Sequence, residues 1–316
     1  MKEKFIQLSS MATICFVLVT SQAIAGEGGT SHITPGATAT LSDFPGTAPA
    51  QFVKFMYVDY SGEFSAQLPT AAGITSNIQA DSNTIALVAG KTFEKTVLGG
   101  AHYSMAIAVP YTSLEVSGRV SLPGGGSVAR SNSVSGLGDI TLMPAMLAWK
   151  RDEWQFNAML PIYAPTGNYE LGRIGNTGLN YWTFDPTIGA VYTTKKGFNA
   201  MLHMGYAINT ENSDTNYKSG SLLHFEGALQ QILPVGDGFL TLGAEAFYFK
   251  QVTGDSGSGA TLGDFKGNTS GIGPAFGYIK PLGKQLLIVD LKWLKETDTE
   301  KRLKGDYVWL KVLYKF

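Results

Sequence analysis

Residues 308–316, which end the chain, read VWLKVLYKF. Counting back from the terminus, every second position is apolar, and the last one is aromatic. The positions on this stripe are Phe316, Tyr314, Val312, Leu310 and Val308. Successive side chains of an extended strand point to opposite faces, so a period of two gives one continuous apolar face. The sequence therefore predicts a terminal β-strand whose apolar face ends in an aromatic ring.

Stretches with the same alternation recur upstream. In residues 198–209, Leu202 and Met204 share one face, while His203 and Gly205 share the other. Segments of about ten residues with this weak pattern, separated by turns, are typical of transmembrane β-barrels. The predicted strands are residues 51–60, 83–92, 101–118, 135–149, 154–164, 182–193, 198–210, 220–233, 239–251, 269–280, 285–297 and 305–316.

The connections between these strands alternate in length. Tight turns are predicted near residues 150–153, 194–197, 234–238 and 281–284, together with the somewhat longer 93–100. Long loops are predicted near residues 61–82, 119–134, 165–181, 211–219, 252–268 and 298–304. Bacterial outer-membrane barrels have short periplasmic turns, longer extracellular loops and an even strand count. The sequence therefore predicts an all-β transmembrane antiparallel β-barrel over residues 51–316, with about twelve strands in a range of about 10–14.

The composition excludes several other classes of protein. Charged residues make up 16% of the chain, whereas a soluble globular protein carries roughly 25%. The aromatic content of 11% argues against disorder, because such a chain can bury surface. A net charge of −1 gives no basis for nucleic-acid binding, so we expect no nucleic-acid partner. The chain after Gly26 contains no apolar run of the roughly 18 residues that a transmembrane helix requires.

Residues 1–25 have the features of a secretory signal peptide. Lys2 and Lys4 precede a short apolar run, and an A-x-A motif ends at Ala25, so we expect cleavage after that residue. The only cysteine, Cys15, would leave with this peptide. The mature chain would then have no disulfide and no thiolate metal site.

Residues 26–50 precede the first predicted strand and are rich in Gly, Thr, Pro and Ala. Two interpretations remain open for this segment. It is either a flexible periplasmic tail or a segment inserted into the lumen of the barrel as a plug.

A polar set shares the face that the alternation assigns to the lumen. Barrel interiors are polar, so one interpretation is that these groups simply pair with one another. The other is that they line a permeation path and select solutes. Apolar neighbours on the same face, among them Phe247, Phe249 and Trp309, would suit an aromatic or amphipathic solute. The candidate lumen-lining residues are Asp185, His203, His224, Glu226, Gln230, Glu245, Asp290 and Lys292.

Motifs for catalysis and cofactor binding are absent from the sequence. The four histidines have no close ligand spacing, so we expect no metal site. The sequence contains no dinucleotide-binding fingerprint, no phosphate-binding loop and no nucleophile elbow. We therefore expect no catalytic residues, no cofactor and no enzymatic activity.

Three short motifs carry a family resemblance. Residues 136–140 read GLGDI, residues 160–167 read LPIYAPTG, and residues 180–186 read NYWTFDP. In combination they resemble the MetA-pathway of phenol degradation family and the related SphA-like outer-membrane proteins. The resemblance implies an outer-membrane barrel of a Gram-negative bacterium, linked through catabolic pathways to the uptake of hydrophobic or aromatic compounds. It supplies no catalytic residues.

The terminal stripe ending at Phe316 resembles the C-terminal β-signal of bacterial outer-membrane proteins. Such a signal is read by the barrel-assembly machinery, so the partners expected are this machinery, outer-membrane lipid and a small hydrophobic or aromatic solute. The leading functional hypothesis is a channel or transporter for that solute. One alternative is a structural or adhesive barrel that acts through its loops. Another is a lipid hydrolase with a Ser–His pair on the lipid-facing side, although the alternation assigns His203 and His224 to the lumen.

Overall fold

The computed structural model describes residues 27–67, 75–121, 126–260 and 266–316. The predicted signal peptide, with Cys15 and the cleavage position after Ala25, lies outside these residues. Parts of three predicted long loops lie outside them as well.

Twelve antiparallel strands make up most of the described chain. Three of them, β4, β5 and β6, are interrupted and have two parts each. Two short 3-10 helices, Glu27–Gly29 and Leu41–Asp43, precede the first strand. The described residues include no helix that is both long and apolar enough to span a membrane. In chain order the strands are β1 (Ala50–Gln67), β2 (Thr75–Val97), β3 (Ala101–Ser121), β4 (Ser127–Leu137 and Thr141–Arg151), β5 (Trp154–Met159 and Ile162–Tyr163), β6 (Thr183–Phe184 and Thr187–Thr193), β7 (Phe198–Asn209), β8 (Leu222–Val235), β9 (Gly238–Gln251), β10 (Asn268–Leu282), β11 (Gln285–Glu300) and β12 (Lys304–Lys315).

The sheet closes on itself through β1 and β12. Every strand pairs with its neighbours in the chain, and β1 pairs with β12 in a register that runs from Phe52↔Lys315 to Glu63↔Lys304. The seam ends with two further hydrogen bonds. The Gln51 N–H donates to the Phe316 carbonyl at 2.8 Å, and the Phe316 N–H donates to the Gln51 carbonyl at 2.9 Å. Closure leaves no free edge, and the expected all-β antiparallel barrel of twelve strands is confirmed.

Most of the longer connections lie at the end of the barrel opposite the short turns, although the β11–β12 connection there, predicted as a long loop at 298–304, has only three residues, 301–303. At the short-turn end, two-residue connections join β4 to β5, β8 to β9, and β10 to β11. Each contains a residue with positive φ, namely Asp152 (50°), Gly236 (60°) and Gly283 (67°), as tight hairpin turns require. β1 begins and β12 ends at this same end. The opposite end, with the connections β5–β6, β7–β8 and β9–β10, is called the long-loop end below.

Two stretches predicted as long loops, near residues 61–82 and 119–134, are largely strand. Their outward side chains are polar, whereas apolar side chains such as Ile78 and Ala80 face inward and are buried, which reverses the pattern from which strands were predicted. The backbone pairing nevertheless continues, because main-chain hydrogen bonds do not depend on which side chains face lipid. The outermost register pairs are Gln67↔Thr75 in the first hairpin and Ser121↔Ser127 in the second.

The strand ladder is interrupted at one level across β4, β5 and β6. The interruptions contain Pro161 and Pro186, which have no N–H to donate to a ladder. They also contain Asp139 and Asp185, whose side chains are buried. The three motifs that carry the family resemblance therefore mark the place where inward carboxylates replace regular pairing.

The two faces of the barrel differ as the alternation predicted. Large apolar side chains such as Leu202, Leu291 and Trp293 are about half exposed on the outer face, while their immediate neighbours are buried. On β12, Val308 and Phe316 are exposed and the rest of the terminal stripe is partly exposed. A lipid-facing surface of this kind is what a transmembrane barrel requires.

Replacing Phe316 with Asp should lower the fraction of folded barrel. The Phe316 ring is 49% exposed on the outer face, and its backbone ends the closing seam. An acidic side chain at such an interfacial position destabilises a barrel by up to about 1 kcal/mol, and it interrupts the terminal apolar stripe. The measurement is the folded fraction in a heat-modifiability gel of outer-membrane preparations. Phe316→Tyr should behave as the wild type, and an undiminished folded fraction in Phe316→Asp would contradict the prediction.

Candidate functional site

The N-terminal segment, residues 27–49, lies inside the barrel against the inner faces of the later strands. Its Ile33 packs with inward-facing Phe247 and Trp309 in one buried cluster. Its Phe44 packs with Met201 in a second buried cluster. Apolar side chains of the segment therefore fill space between wall residues rather than facing water.

Two buried lysines of the wall hold the backbone of this segment. The Lys292 ammonium donates to the Gly36 carbonyl at 2.6 Å and pairs with Glu245 at 2.8 Å. The Lys311 ammonium donates to the carbonyls of Gly36 and Ala37 at 3.0 and 2.8 Å. Both lysines are fully buried. Since a buried ammonium needs acceptors, the two lysines and the segment require each other.

Gly36 provides the tight turn that these contacts need. Its φ is +88°, a conformation that favours glycine, and a Cβ atom at this position would lie 2.5 Å from Trp309 Nε1 and 2.7 Å from Leu294 Cδ1. The Trp309 indole N–H donates to the Pro35 carbonyl at 2.9 Å. The turn thus allows the backbone to approach the wall more closely than a residue with a side chain could.

Asp43 of the segment gathers three ammonium groups. Its oxygens lie 2.8 Å from Lys311 Nζ, 3.1 Å from Lys54 Nζ and 3.8 Å from Lys292 Nζ. Burial disfavours the ionised carboxylate, but the charges of Lys311, Lys54 and Lys292 outweigh burial and lower the pKa of Asp43 well below its usual value. The segment therefore supplies the counter-charge for Lys311 and Lys54, whereas Lys292 also has Glu245 of the wall as a partner.

Acidic residues of the wall bind the N–H and hydroxyl groups of the same segment. Glu226 accepts hydrogen bonds from the N–H groups of Gly36 and Thr38 at 3.2 and 2.8 Å. Asp290 accepts a hydrogen bond from the Thr40 hydroxyl at 3.1 Å. The lysines of the wall donate to backbone carbonyls of the segment, and the carboxylates of the wall accept from its N–H and hydroxyl groups. The segment and this half of the wall are therefore complementary.

His32 attaches the start of the segment to the opposite side of the barrel. Its Nε2 lies 2.8 Å from Asp139 Oδ2, and its Nδ1 lies 2.7 Å from the Thr183 hydroxyl. The Asp139 carboxylate also accepts two backbone N–H groups of the β5–β6 connection, from Gly167 at 2.8 Å and Leu179 at 2.7 Å. The interrupted part of β4 thus anchors both the segment and the long connection that follows β5.

The two other inward histidines each have one partner on the wall. His224 Nε2 lies 2.9 Å from Asp185 Oδ1, and His203 Nε2 lies 3.1 Å from Asn157 Oδ1. The His203 ring also packs on Phe44, with the two ring centroids 4.5 Å apart. Both histidines are fully buried, away from the outer face.

All eight candidate lumen-lining residues are buried, and the structure brings most of them together. Glu226, Glu245, Asp290 and Lys292 belong to the network around the N-terminal segment. Asp185 and His224 form a separate pair, and His203 packs on the segment. Gln230 Nε2 has no hydrogen-bond partner among the described residues. Nor do the described residues contain a group of three or more His, Cys, Asp or Glu side chains that could hold a metal ion.

Sequence reasoning missed several residues of this network. Lys311 could have been found, because it alternates with Leu310 and Val312 and therefore belongs to the inner face. Asp43 and His32 could not, since they precede the strands and have no periodic pattern to assign them a direction. Asp139, the partner of His32, and Lys311, a partner of Asp43, are each more than 100 residues away in the sequence, so only the folded chain brings these pairs together.

A cavity of about 430 Å³ remains between the N-terminal segment and the inner faces of β1 to β5. It follows β3 from Ala106 to Leu114, a distance of about 27 Å along a strand. Small and apolar side chains dominate the wall on this side. They include Met56, Ala86, Val88, Ala106, Ala108, Leu114, Met143, Met146, Met159 and Leu313.

The cavity is bordered differently at its two ends. At the long-loop end, Asn176, Thr177 and Leu179 of the β5–β6 connection contribute to its lining. At the short-turn end, Pro45 and Gly46 of the N-terminal segment lie opposite wall residues of β1 and β12. Of the eight candidate residues, Asp185 alone borders the cavity in the described part of the chain. The remaining space therefore lies beside the charged half of the wall rather than within it.

A closed twelve-stranded antiparallel barrel with an apolar outer face belongs to the class of outer-membrane β-barrel folds. Within that class, residues 61–312 match the family described as "Putative MetA-pathway of phenol degradation". The chain belongs to this family, and the resemblance inferred from the sequence motifs is confirmed.

The comparison with solved structures gives matches at low sequence identity, and the first of those described here shares the fold. The COG4313 outer membrane channel from Pseudomonas putida F1 is 19% identical, with a TM-score of 0.56 over 90% of this chain and 100% of that chain. The β domain of the Bordetella autotransporter BrkA is 12% identical, with a TM-score of 0.42 over 85% and 99%. A Pseudomonas aeruginosa FadL homologue is 9% identical, with a TM-score of 0.38 over 94% of each chain. No curated protein matches the sequence.

Replacing Asp43 with Asn should release the N-terminal segment from the wall. The change leaves Lys311 and Lys54 without their shared counter-charge, and breaking a buried ion pair by removing one partner costs about 3–5 kcal/mol. The measurement is cleavage within residues 27–49 by added protease, applied to the purified, folded barrel. Wild type should resist cleavage and Asp43→Asn should be cut.

Asp237→Asn is the matched control, because it removes the same type of charge from an exposed pair with Lys280. This control should resist protease as wild type does. Because the pKa of Asp43 is lowered, its contribution is fully present above the usual pKa of an aspartate and is lost only in stronger acid. Protease resistance should therefore stay constant between about pH 5 and 8. Equal resistance of the Asp43→Asn and Asp237→Asn variants would contradict the role given to Asp43.

Proposed function

We propose that the chain is an outer-membrane channel that takes up small hydrophobic or aromatic compounds through the cavity between the N-terminal segment and β1 to β5. The observation that carries the proposal is the lining of this cavity. Apolar side chains, mainly methionine, alanine, valine and leucine, predominate in its wall, although it lies inside a barrel whose other half is densely charged. Such a lining favours apolar solutes over ions.

The size of the cavity supports a small solute. Sites for small molecules commonly have volumes of about 300–1000 Å³, and this cavity lies at the lower end of that range. Thioether side chains adapt their shape and make favourable contacts with aromatic rings. Met143, Met146 and Met159 line the same part of the wall, so they form an adaptable surface for a ring.

The N-terminal segment acts in this proposal as a plug that restricts the lumen. It neutralises the charged half of the wall and leaves only the apolar half open. Wide water-filled pores belong to barrels of about 16–18 strands, whereas the interior of a smaller barrel is largely filled. The inward charges that bind the plug then hold it in place and do not contact the solute.

The proposal places the protein in the outer membrane of a Gram-negative bacterium after cleavage of a signal peptide behind Ala25. Outer-membrane lipid would surround the apolar outer face. The barrel-assembly machinery would recognise the terminal stripe on β12, which ends at Phe316. The family description, which names a pathway of phenol degradation, supports aromatic compounds as the solutes. No catalytic step and no cofactor is assigned to the chain.

The orientation in the membrane gives a direct test of this location. Short turns of bacterial outer-membrane barrels face the periplasm, so an epitope tag inserted at residues 195–197 should not be labelled on intact cells. A tag inserted at residues 256–259, on the long-loop side, should be labelled. Permeabilised cells control for accessibility, since both tags should react there. Labelling at 195–197 on intact cells would invert the arrangement.

Filling the cavity should abolish uptake. Ala108 lines the cavity, whereas its neighbour Ile107 is 42% exposed on the outer face. Ala108→Trp places a large ring in the path, and Ile107→Trp adds the same ring on the lipid side. The measurement is the initial rate at which porin-deficient cells that express each variant accumulate labelled benzyl alcohol.

Wild type and Ile107→Trp should raise this rate above cells without the protein, and Ala108→Trp should return it to that background. Heat-modifiability gels confirm that both variants are folded. Equal uptake by folded Ala108→Trp and folded Ile107→Trp would show that solute does not pass through this cavity.

A further inference from the structure

One charged side chain in the cavity has no partner within the described part of the chain. Six side chains in its lining are charged or titrate near neutral pH: His32, Asp43, Lys54, Asp139, Asp185 and Lys315. His32 is bound to Asp139, Lys54 to Asp43, and Asp185 to His224. Lys315 forms no hydrogen bond or ion pair with any residue that the structure describes.

Lys315 lies on the inner face of the last strand. It alternates with inward-facing Leu313 and Lys311, and it is partly buried at the short-turn end of the cavity. Its register partner across the closing seam is Phe52, which also lines the cavity. Side chains directly opposite each other on neighbouring strands have Cβ atoms about 4.5–5.5 Å apart. The Lys315 and Phe52 side chains therefore leave the wall at neighbouring positions, and both reach the cavity.

The same register row continues across the apolar half of the wall. Phe52 pairs with Gly90, Gly90 pairs with Ala106, and Ala106 pairs with Met143. A Cβ atom at Gly90 would collide with the Phe52 ring, so the glycine lets this ring lie flat against the wall. The side chains along this row are therefore, in order, the cation of Lys315, the aromatic ring of Phe52, the methyl group of Ala106 and the thioether of Met143, with Gly90 under the ring.

We propose that this row is a binding site for an aromatic monocarboxylate, with the carboxylate held by Lys315 and the ring lying against Phe52 towards Ala106 and Met143. The inference rests on the proposed function, since it uses the same cavity and adds the head group of the solute. A partly buried ammonium without a counter-charge is stabilised when one anionic group accepts a hydrogen bond from it. A neutral aromatic solute would leave it unpaired, and a cationic one would be repelled.

Lys54 is a neighbouring cation but does not supply this function. Its ammonium is 3.1 Å from Asp43 Oδ1 and 3.3 Å from the Ser42 carbonyl, so it is already bound to the N-terminal segment. Lys315 is therefore the residue that determines the preference for an anion.

The test compares three probes with the same ring: benzoate, benzyl alcohol and benzylamine. Binding to the purified full-length barrel in detergent is measured by isothermal titration, with folded Ala108→Trp as the baseline for binding outside the cavity. Wild type should bind benzoate about tenfold more tightly than benzyl alcohol, as one hydrogen bond to a charged group supports. Benzylamine should bind most weakly.

Two variants at Lys315 test whether its positive charge causes the preference for benzoate over benzyl alcohol. Lys315→Gln should bind benzyl alcohol as wild type does and lose the preference for benzoate, whereas Lys315→Arg should keep it. Lys284→Gln is the matched control, because Lys284 is an exposed lysine of the β10–β11 turn at the same end of the barrel and does not line the cavity. Heat-modifiability gels establish that each variant is folded before titration.

The outcomes separate the inference from the proposed function. Equal binding of benzoate and benzyl alcohol by wild type, or an unchanged preference in folded Lys315→Gln, overturns the carboxylate site and leaves the apolar pathway intact. If neither probe binds wild type above the Ala108→Trp baseline, the pathway itself is overturned, and the carboxylate site with it.

Discussion

The absence of hydrogen-bonding partners in lipid is the constraint on which this structure depends. Every backbone N–H and C=O at membrane depth must be satisfied within the protein, and a closed sheet achieves this without a free edge. Here the closing pair is β1 with β12, and the seam extends to the last residue, Phe316, which exchanges two hydrogen bonds with Gln51. Once the ring of strands is closed, the outer side chains must be apolar, and the inner side chains are free to serve other purposes.

The inner side chains divide the interior into a charged half, formed by the later strands, and a mainly apolar half, formed by the earlier strands. The later strands place lysines and carboxylates inside, which would be costly in a dry interior if they were left alone. The N-terminal segment compensates for them with backbone carbonyls, backbone N–H groups and the carboxylate of Asp43. The earlier strands carry small and apolar residues at the equivalent positions, and the segment leaves that side open. The position of the cavity therefore follows from where the charges are.

The interrupted ladder of β4 to β6 connects the two halves. Proline residues remove ladder donors there, and Asp139 and Asp185 turn inward to bind His32 and His224. Asp139 also binds the N–H groups of the β5–β6 connection, which lines the long-loop end of the cavity. The motifs that define the family are thus the residues that attach the segment and the long connection to the wall.

The sequence by itself determined the strand type, the approximate strand number and the direction of the side chains, because alternation with a period of two is a local property of an extended chain. It placed Glu226, Glu245 and Lys292 on the inner face for that reason. It did not reveal the outer parts of the first two long hairpins, where the outward side chains are polar and the apolar ones face inward. Only the tertiary structure decided which charges meet, since Asp43 and Lys311 are separated by 268 residues and come together through closure of the barrel and insertion of the N-terminal segment. The open cavity and the unpartnered Lys315 were decided at the same level, because a cavity is the space that packing leaves and no single strand encodes it.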